Sequence, residues 1–91
     1  MPRYVIERKI PGAGALSDAE IEAISQKSNQ VLADMGGDVQ WDHSYVLGDA
    51  IMCVYVAPSE EKVREHARRG GFPADSVHEV VRTIDPTTGG R

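Results

Sequence analysis

The sequence has little of what several large functional classes require. It holds one cysteine, Cys53, so no intramolecular disulfide can form and a cysteine-rich zinc module is excluded. No apolar run approaches the ~20 residues that a membrane-spanning helix needs. The opening MPRYVIERK lacks the apolar stretch and small-residue cleavage site of a signal peptide. A reducing, cytoplasmic setting away from membranes is therefore expected. Positive charge is also scarce. With a net charge of −4 and a pI near 5.2, nucleic acid is disfavoured as a partner, because phosphate binding needs a concentrated basic surface. Cations are the better-matched charged partners. A glycine-rich phosphate loop, a Gly-x-Ser-x-Gly elbow and a His-x-x-x-His helix pair are all missing.

What remains is one small domain. A chain of 91 residues buries only ~60–65% of the surface its unfolded form exposes, so its core is thin and self-association adds useful burial. The domain is expected over residues 1–85, with a polar, glycine-containing tail over 86–91.

Arg3 to Lys9 alternates and carries β-formers, which predicts a strand, broken by Pro11-Gly12-Ala13-Gly14. A helix follows at Ser17, whose spacing to Glu20 makes a capping box; Leu16 and Ile21 are spaced for a hydrophobic staple. Ile21, Ile24, Ser28, Val31, Leu32 and Met35 form one stripe, and Gly36-Gly37 supplies a left-handed stop. Gln40 to Leu47 and Ala50 to Ala57 read as two strands around the turn Gly48-Asp49. Ser59 caps a short helix from Glu60 to Arg69, stopped by Gly70-Gly71, and Ser76 to Ile84 predicts the last strand.

The order βαββαβ specifies an α+β, ferredoxin-like sandwich: a four-stranded antiparallel sheet with two helices on one face. The second hairpin strand is apolar on both sides, with Ile51, Cys53 and Tyr55 pointing one way and Met52, Val54 and Val56 the other. Helices cover only one side. The uncovered face predicts a homodimer, or a pocket enclosed between two subunits.

Few residues can carry chemistry. His43 lies in Trp41-Asp42-His43-Ser44-Tyr45, where simple alternation sends Trp41, His43 and Tyr45 to one face. Such a row can line a pocket with imidazole as metal ligand or proton carrier; its plain alternative is a hydrogen-bonded strand histidine. His78 and the adjacent Glu79 must point to opposite faces, so they do not serve one simple site within a subunit, although either can join one across a dimer; each reads first as a structural or solvated side chain. His66 reads as a partly buried packing residue. Glu7, a carboxylate in a central strand, needs a cation if it faces the helices and can help build a site if it faces away. Cys53 reads first as a small core residue. A two-residue turn sets His43 opposite Val54 and Ser44 opposite Cys53, on different faces; a longer loop or a bulge reverses this. The basic residues Lys62, Arg64, Arg68 and Arg69 alternate with Glu60, Glu61 and Glu65 and make a solvated helix face.

The segments Val5–Arg8, His43–Val46, Cys53–Glu61 and Arg64–Asp75 are similar, in order and over nearly the whole chain, to the small bacterial nickel-binding protein family. The resemblance implies a ferredoxin-like homodimer that binds a nickel ion, with sequestration as a role, and implies no enzymatic activity. It does not assign ligands one by one, so the metal candidates are those the residues themselves offer: Glu7, His43, Cys53 and His78. Imidazole and carboxylate suit nickel, copper and zinc alike. Two alternatives stand beside metal binding. One is a small isomerase or monooxygenase-like enzyme with His43 as general base and Tyr45, Tyr55 and Trp41 holding a ligand on the open face. The other is a module that senses a small molecule at a dimer interface.

Overall fold

The computed structural model of the protein describes residues 1–90. Its elements are β1 (Arg3–Lys9), α1 (Asp18–Asp34), β2 (Gln40–Val46), β3 (Ala50–Val56), α2 (Glu60–Gly70) and β4 (Ser76–Glu79). The sheet runs β2-β3-β1-β4 with every neighbouring pair antiparallel, the ferredoxin-like arrangement. No helix is long and apolar enough to cross a membrane among the described residues.

Local chemistry sets the helix limits. The Ser17 hydroxyl accepts from the Glu20 N–H at 3.1 Å while the Glu20 carboxylate accepts from the Ser17 N–H at 2.9 Å, so both halves of the capping box form. The chain then leaves α1 through Gly36 and Gly37, both at positive φ (76° and 84°), a backbone state that glycine adopts without a Cβ penalty. Ser59 caps α2 by accepting from the Lys62 N–H, and Gly71 ends it in the left-handed conformation.

Packing follows from alternation. Tyr4, Ile6 and Arg8 of β1 and Ile51, Cys53 and Tyr55 of β3 are buried beneath the helices, where they meet Val31 and Met35 of α1 and Val63 of α2. Ile6 and Val63 are wholly buried, and each such side chain contributes ~1.5–3 kcal/mol relative to exposure.

Two expectations need correction. The last strand ends at Glu79 rather than Ile84. Beyond Glu79, which pairs with Tyr4, only the Val80 N–H finds the Arg3 carbonyl. Pro2, the next residue back along β1, turns its carbonyl the other way and accepts from Ala57, beyond the end of β3. The tail begins as a short 3-10 turn, Pro86–Gly89, capped by Asp85; Arg91, its final residue, lies outside the described residues. The second correction concerns β2. Trp41 pairs with Tyr55 but His43 pairs with Val54, so Asp42 is an extra residue in a β-bulge. The bulge turns Trp41 to the helix side, away from His43 and Tyr45.

Candidate functional site

The uncovered face of the sheet carries three of the four metal candidates. Leu47 N–H donates to the Ala50 carbonyl at 2.8 Å, which makes Gly48-Asp49 a two-residue turn and sets His43 against Val54 and Ser44 against Cys53. Register then places His43, Val54, Val5 and His78 in one transverse row, with Tyr45, Met52, Glu7 and Ser76 in the next. Glu7, in phase with Val5, faces away from the helices and is half-buried. Cys53 is separated from these three: it is buried on the helix side, 4% exposed. His78 and Glu79 fall on opposite faces, as adjacent strand residues must.

His43 is the best-supported member of the group. Its ring meets Tyr45 edge-on at 5.1 Å, and its Nδ1 stands 3.5 Å from an Asp42 carboxylate oxygen. Asp42 is also held by Arg3, and these contacts, the Arg3 hydrogen bond foremost, keep its carboxyl below the ordinary carboxylate range. A carboxylate beside Nδ1 orients the imidazole and leaves Nε2 as its outward donor, the usual support of a metal-binding histidine. The same face holds a shallow hollow lined by His43, Val5, Val54 and Arg3 together with Val80, Arg82 and Thr83 from the segment after β4. Among the described residues no three His, Cys, Asp or Glu side chains gather closely enough to hold one ion. One copy of the chain therefore does not build a closed metal site.

The enzyme-like pocket expected on this face is not assembled. Trp41 and Tyr55 sit on the helix side, where the Trp41 indole N–H donates to the Ser44 hydroxyl at 2.8 Å, and only His43 and Tyr45 remain outside. Beneath α1 there is instead a cavity of about 290 Å³, walled by Ile21, Ile24 and Ser28 of the helix and by Arg8, Trp41, Cys53 and Tyr55 of the sheet. Arg8 is only 4% exposed. Its guanidinium donates to the Pro73 carbonyl and to the Tyr55 hydroxyl, the latter at 3.2 Å, and lies 5.8 Å from the Tyr55 ring centre and 5.6 Å from that of Phe72.

Residues 4–80 match the family model described as nickel responsive protein SCO4226-like. The chain belongs to this family. Among solved structures it is similar to SCO4226 from Streptomyces coelicolor A3(2), with 21% identity, a TM-score of 0.76, and coverage of 90% of this chain and 99% of that one. At that identity the likeness establishes the fold. No curated protein matches the chain.

Two buried polar groups of this SCO4226-like chain escape a reading that looks for ligands. Arg8 was legible in principle, because it lies in phase with Tyr4 and Ile6 and so belongs to the apolar side of β1. His66, expected to be partly buried, is wholly enclosed, with its ring 5.2 Å from Tyr55 and 5.6 Å from Phe72. Burial first, and the nearby Arg8 charge second, push its pKa down to about 4, so at neutral pH it is an uncharged core group.

Proposed function

We propose that the chain binds divalent nickel on the uncovered face of its sheet, at sites completed by a second copy. Membership of a nickel-responsive family supports the metal. The observation that carries the site is the position of His43 and His78 at the two edges of one transverse row, with Glu7 in the adjoining row.

Within one copy the two histidines are three strands apart, ~14 Å at ordinary strand spacing. Imidazole nitrogens bind such ions at ~2 Å, so the pair cannot share an ion in one subunit. A two-fold axis that runs along the strands between β1 and β3 changes this. It sets each His43 over the partner's His78, and sheets packed face to face stand ~10 Å apart, a gap two facing imidazoles span through a shared ion. Glu7 and its symmetry mate then lie near the centre as further carboxylate donors.

The same pairing covers a face that is costly to leave wet. Val5, Met52, Val54 and Val56 are only partly buried in the single chain, and Tyr45 is 59% exposed. Val81 and Ile84, after β4, are 97% and 71% exposed and add apolar surface for a second subunit. Imidazole–carboxylate sites bind copper more tightly than nickel, so nickel handling by this protein reflects supply and site geometry.

Calorimetric titration of metal-free, untagged protein with nickel, copper, zinc and cobalt tests the proposal. Saturable nickel binding at neutral pH, abolished in both His43→Ala and His78→Ala, is the expected result. Binding should weaken below pH ~6 as protons compete for imidazole. Failure of the untagged protein to bind nickel would remove metal handling as its function.

A further inference from the structure

We propose that the cavity between α1 and the sheet binds a small apolar monocarboxylate, whose carboxylate pairs with Arg8. This site lies on the opposite side of the sheet from the face assigned to nickel and does not depend on it.

The first ground is an unmatched charge. Among the described residues every ion pair omits Arg8, although Arg3, Arg64, Arg68 and Arg69, all more exposed, have carboxylate partners. A buried guanidinium is ordinarily paired, because its desolvation is otherwise uncompensated. No carboxylate stands among the groups around Arg8. Pro73 offers a carbonyl, Cys53 a thiol, and the Tyr55 hydroxyl is kept protonated by burial, which raises its pKa. His66 is uncharged at neutral pH. A guanidinium has five N–H donors in a planar fork suited to a carboxylate, and the carbonyl, hydroxyl and thiol here take only part of them.

The second ground is unfinished packing. The stripe of α1 is well covered at its C-terminal end, where Ser28, Val31 and Met35 are buried, but Ile21 and Ile24 in its first half stay partly exposed. These two isoleucines face the cavity rather than a packed sheet. Apolar walls with nothing against them forgo dispersion contacts that a ligand would restore. A cavity of ~150 Å³ lined by apolar side chains accommodates benzene. At about 290 Å³, this one suits a medium-chain or two-ring acid, with the hydrocarbon between Ile21, Ile24 and Trp41 and the head at Arg8.

Trp41 is the chain's single tryptophan and lines the cavity, so its fluorescence reports occupancy directly. Octanoate and 2-naphthoate serve as probes, with octanol and octylamine as matched controls lacking the carboxylate. Octanoate should perturb Trp41 emission saturably and raise the melting temperature, with octanol at least tenfold weaker and octylamine weaker still. Arg8→Met should abolish the preference for acid over alcohol. Ile24→Phe, which adds bulk to the cavity wall, leaves Arg8 in place and keeps Trp41 the single tryptophan, should weaken both probes at least tenfold even if Arg8→Met does not fold. Equal binding of octanoate and octanol by the native protein, absence of saturable binding, or unimpaired binding by Ile24→Phe would each overturn the proposal.

Discussion

The His66 imidazole and the Ser28 hydroxyl tie the two helices together in the core, Nε2 to Oγ at 3.1 Å, while Nδ1 of the same ring is buried without a hydrogen-bond partner. Burial of the ring, with the Arg8 charge second, holds His66 neutral, and a proton added at Nδ1 would find no acceptor.

Stability should therefore fall on acidification through a window set by that ring. The folded-state pKa is about 4, against 6.5 for a free histidine. Between those values the unfolded chain binds more protons than the native one, so stability declines as pH drops from ~6.5 to ~4; below ~4 this residue contributes no further loss. The two values set an upper bound of about 3 kcal/mol on the decline. Urea unfolding at stepped pH reads it directly, and His66→Phe should flatten the slope above pH 4.5. An identical slope in the variant would assign the effect elsewhere. The lowered carboxyl pKa values of Glu20, Asp42 and Asp85 add a further loss that begins near their ordinary values, 4.5 for Glu20 and 3.8 for the two aspartates, and so overlaps only the acid end of this window.

Ser17→Ala removes the hydroxyl that accepts from the Glu20 N–H and uncouples the reciprocal bond. A loss of ~1 kcal/mol is expected, visible as a lower urea midpoint with unchanged m-value.

Gly70→Ala should destabilise although it improves helix propensity. A Cβ at that position overlaps the Phe72 ring, whose chain is held by the Phe72 N–H to Ala67 carbonyl bond at 2.9 Å. The ring must leave its place against Arg8 and His66. A gain of up to ~1 kcal/mol from propensity is outweighed by overpacking of ~1–3 kcal/mol. Thermal melts of the variant would contradict this account if they showed stabilisation.

Val54→Asp places a charge in the middle of the uncovered face, next to Val5 and His43 in the same row. If two copies pair through this face, the native chain sediments as a dimer and the variant as a folded monomer with weakened nickel binding. A monomeric native chain at micromolar concentration would separate metal binding from dimerisation.

Most of the fold was legible because its signals are local. The β1 limits, the Ser17–Glu20 box, the Gly36-Gly37 exit and the Gly48-Asp49 turn each depend on residues close in sequence, and each appears as the residues dictate. The end of β4 was not legible, because a strand stops where its neighbour does and that neighbour is more than 70 residues away along the chain. The candidate site was readable only in part. Alternation correctly separated His78 from Glu79, but the Asp42 bulge broke the same rule between Trp41 and His43, and a bulge in a strand of ordinary composition leaves little trace in sequence. Arg8 shows the converse: its phase with Tyr4 and Ile6 sets it on the helix side of β1, although arginine is a residue type that is mostly exposed.

The Asp42 bulge also bears on how such a chain can change. Because β2 shifts phase at one residue, Trp41, Ser44 and Val46 furnish the chamber under α1 while His43 and Tyr45 furnish the exterior. Substitution along β2 can remodel one compartment and spare the other, whereas loss of a single residue there would exchange their furnishings. A seven-residue strand thus keeps two chemistries on separate tracks.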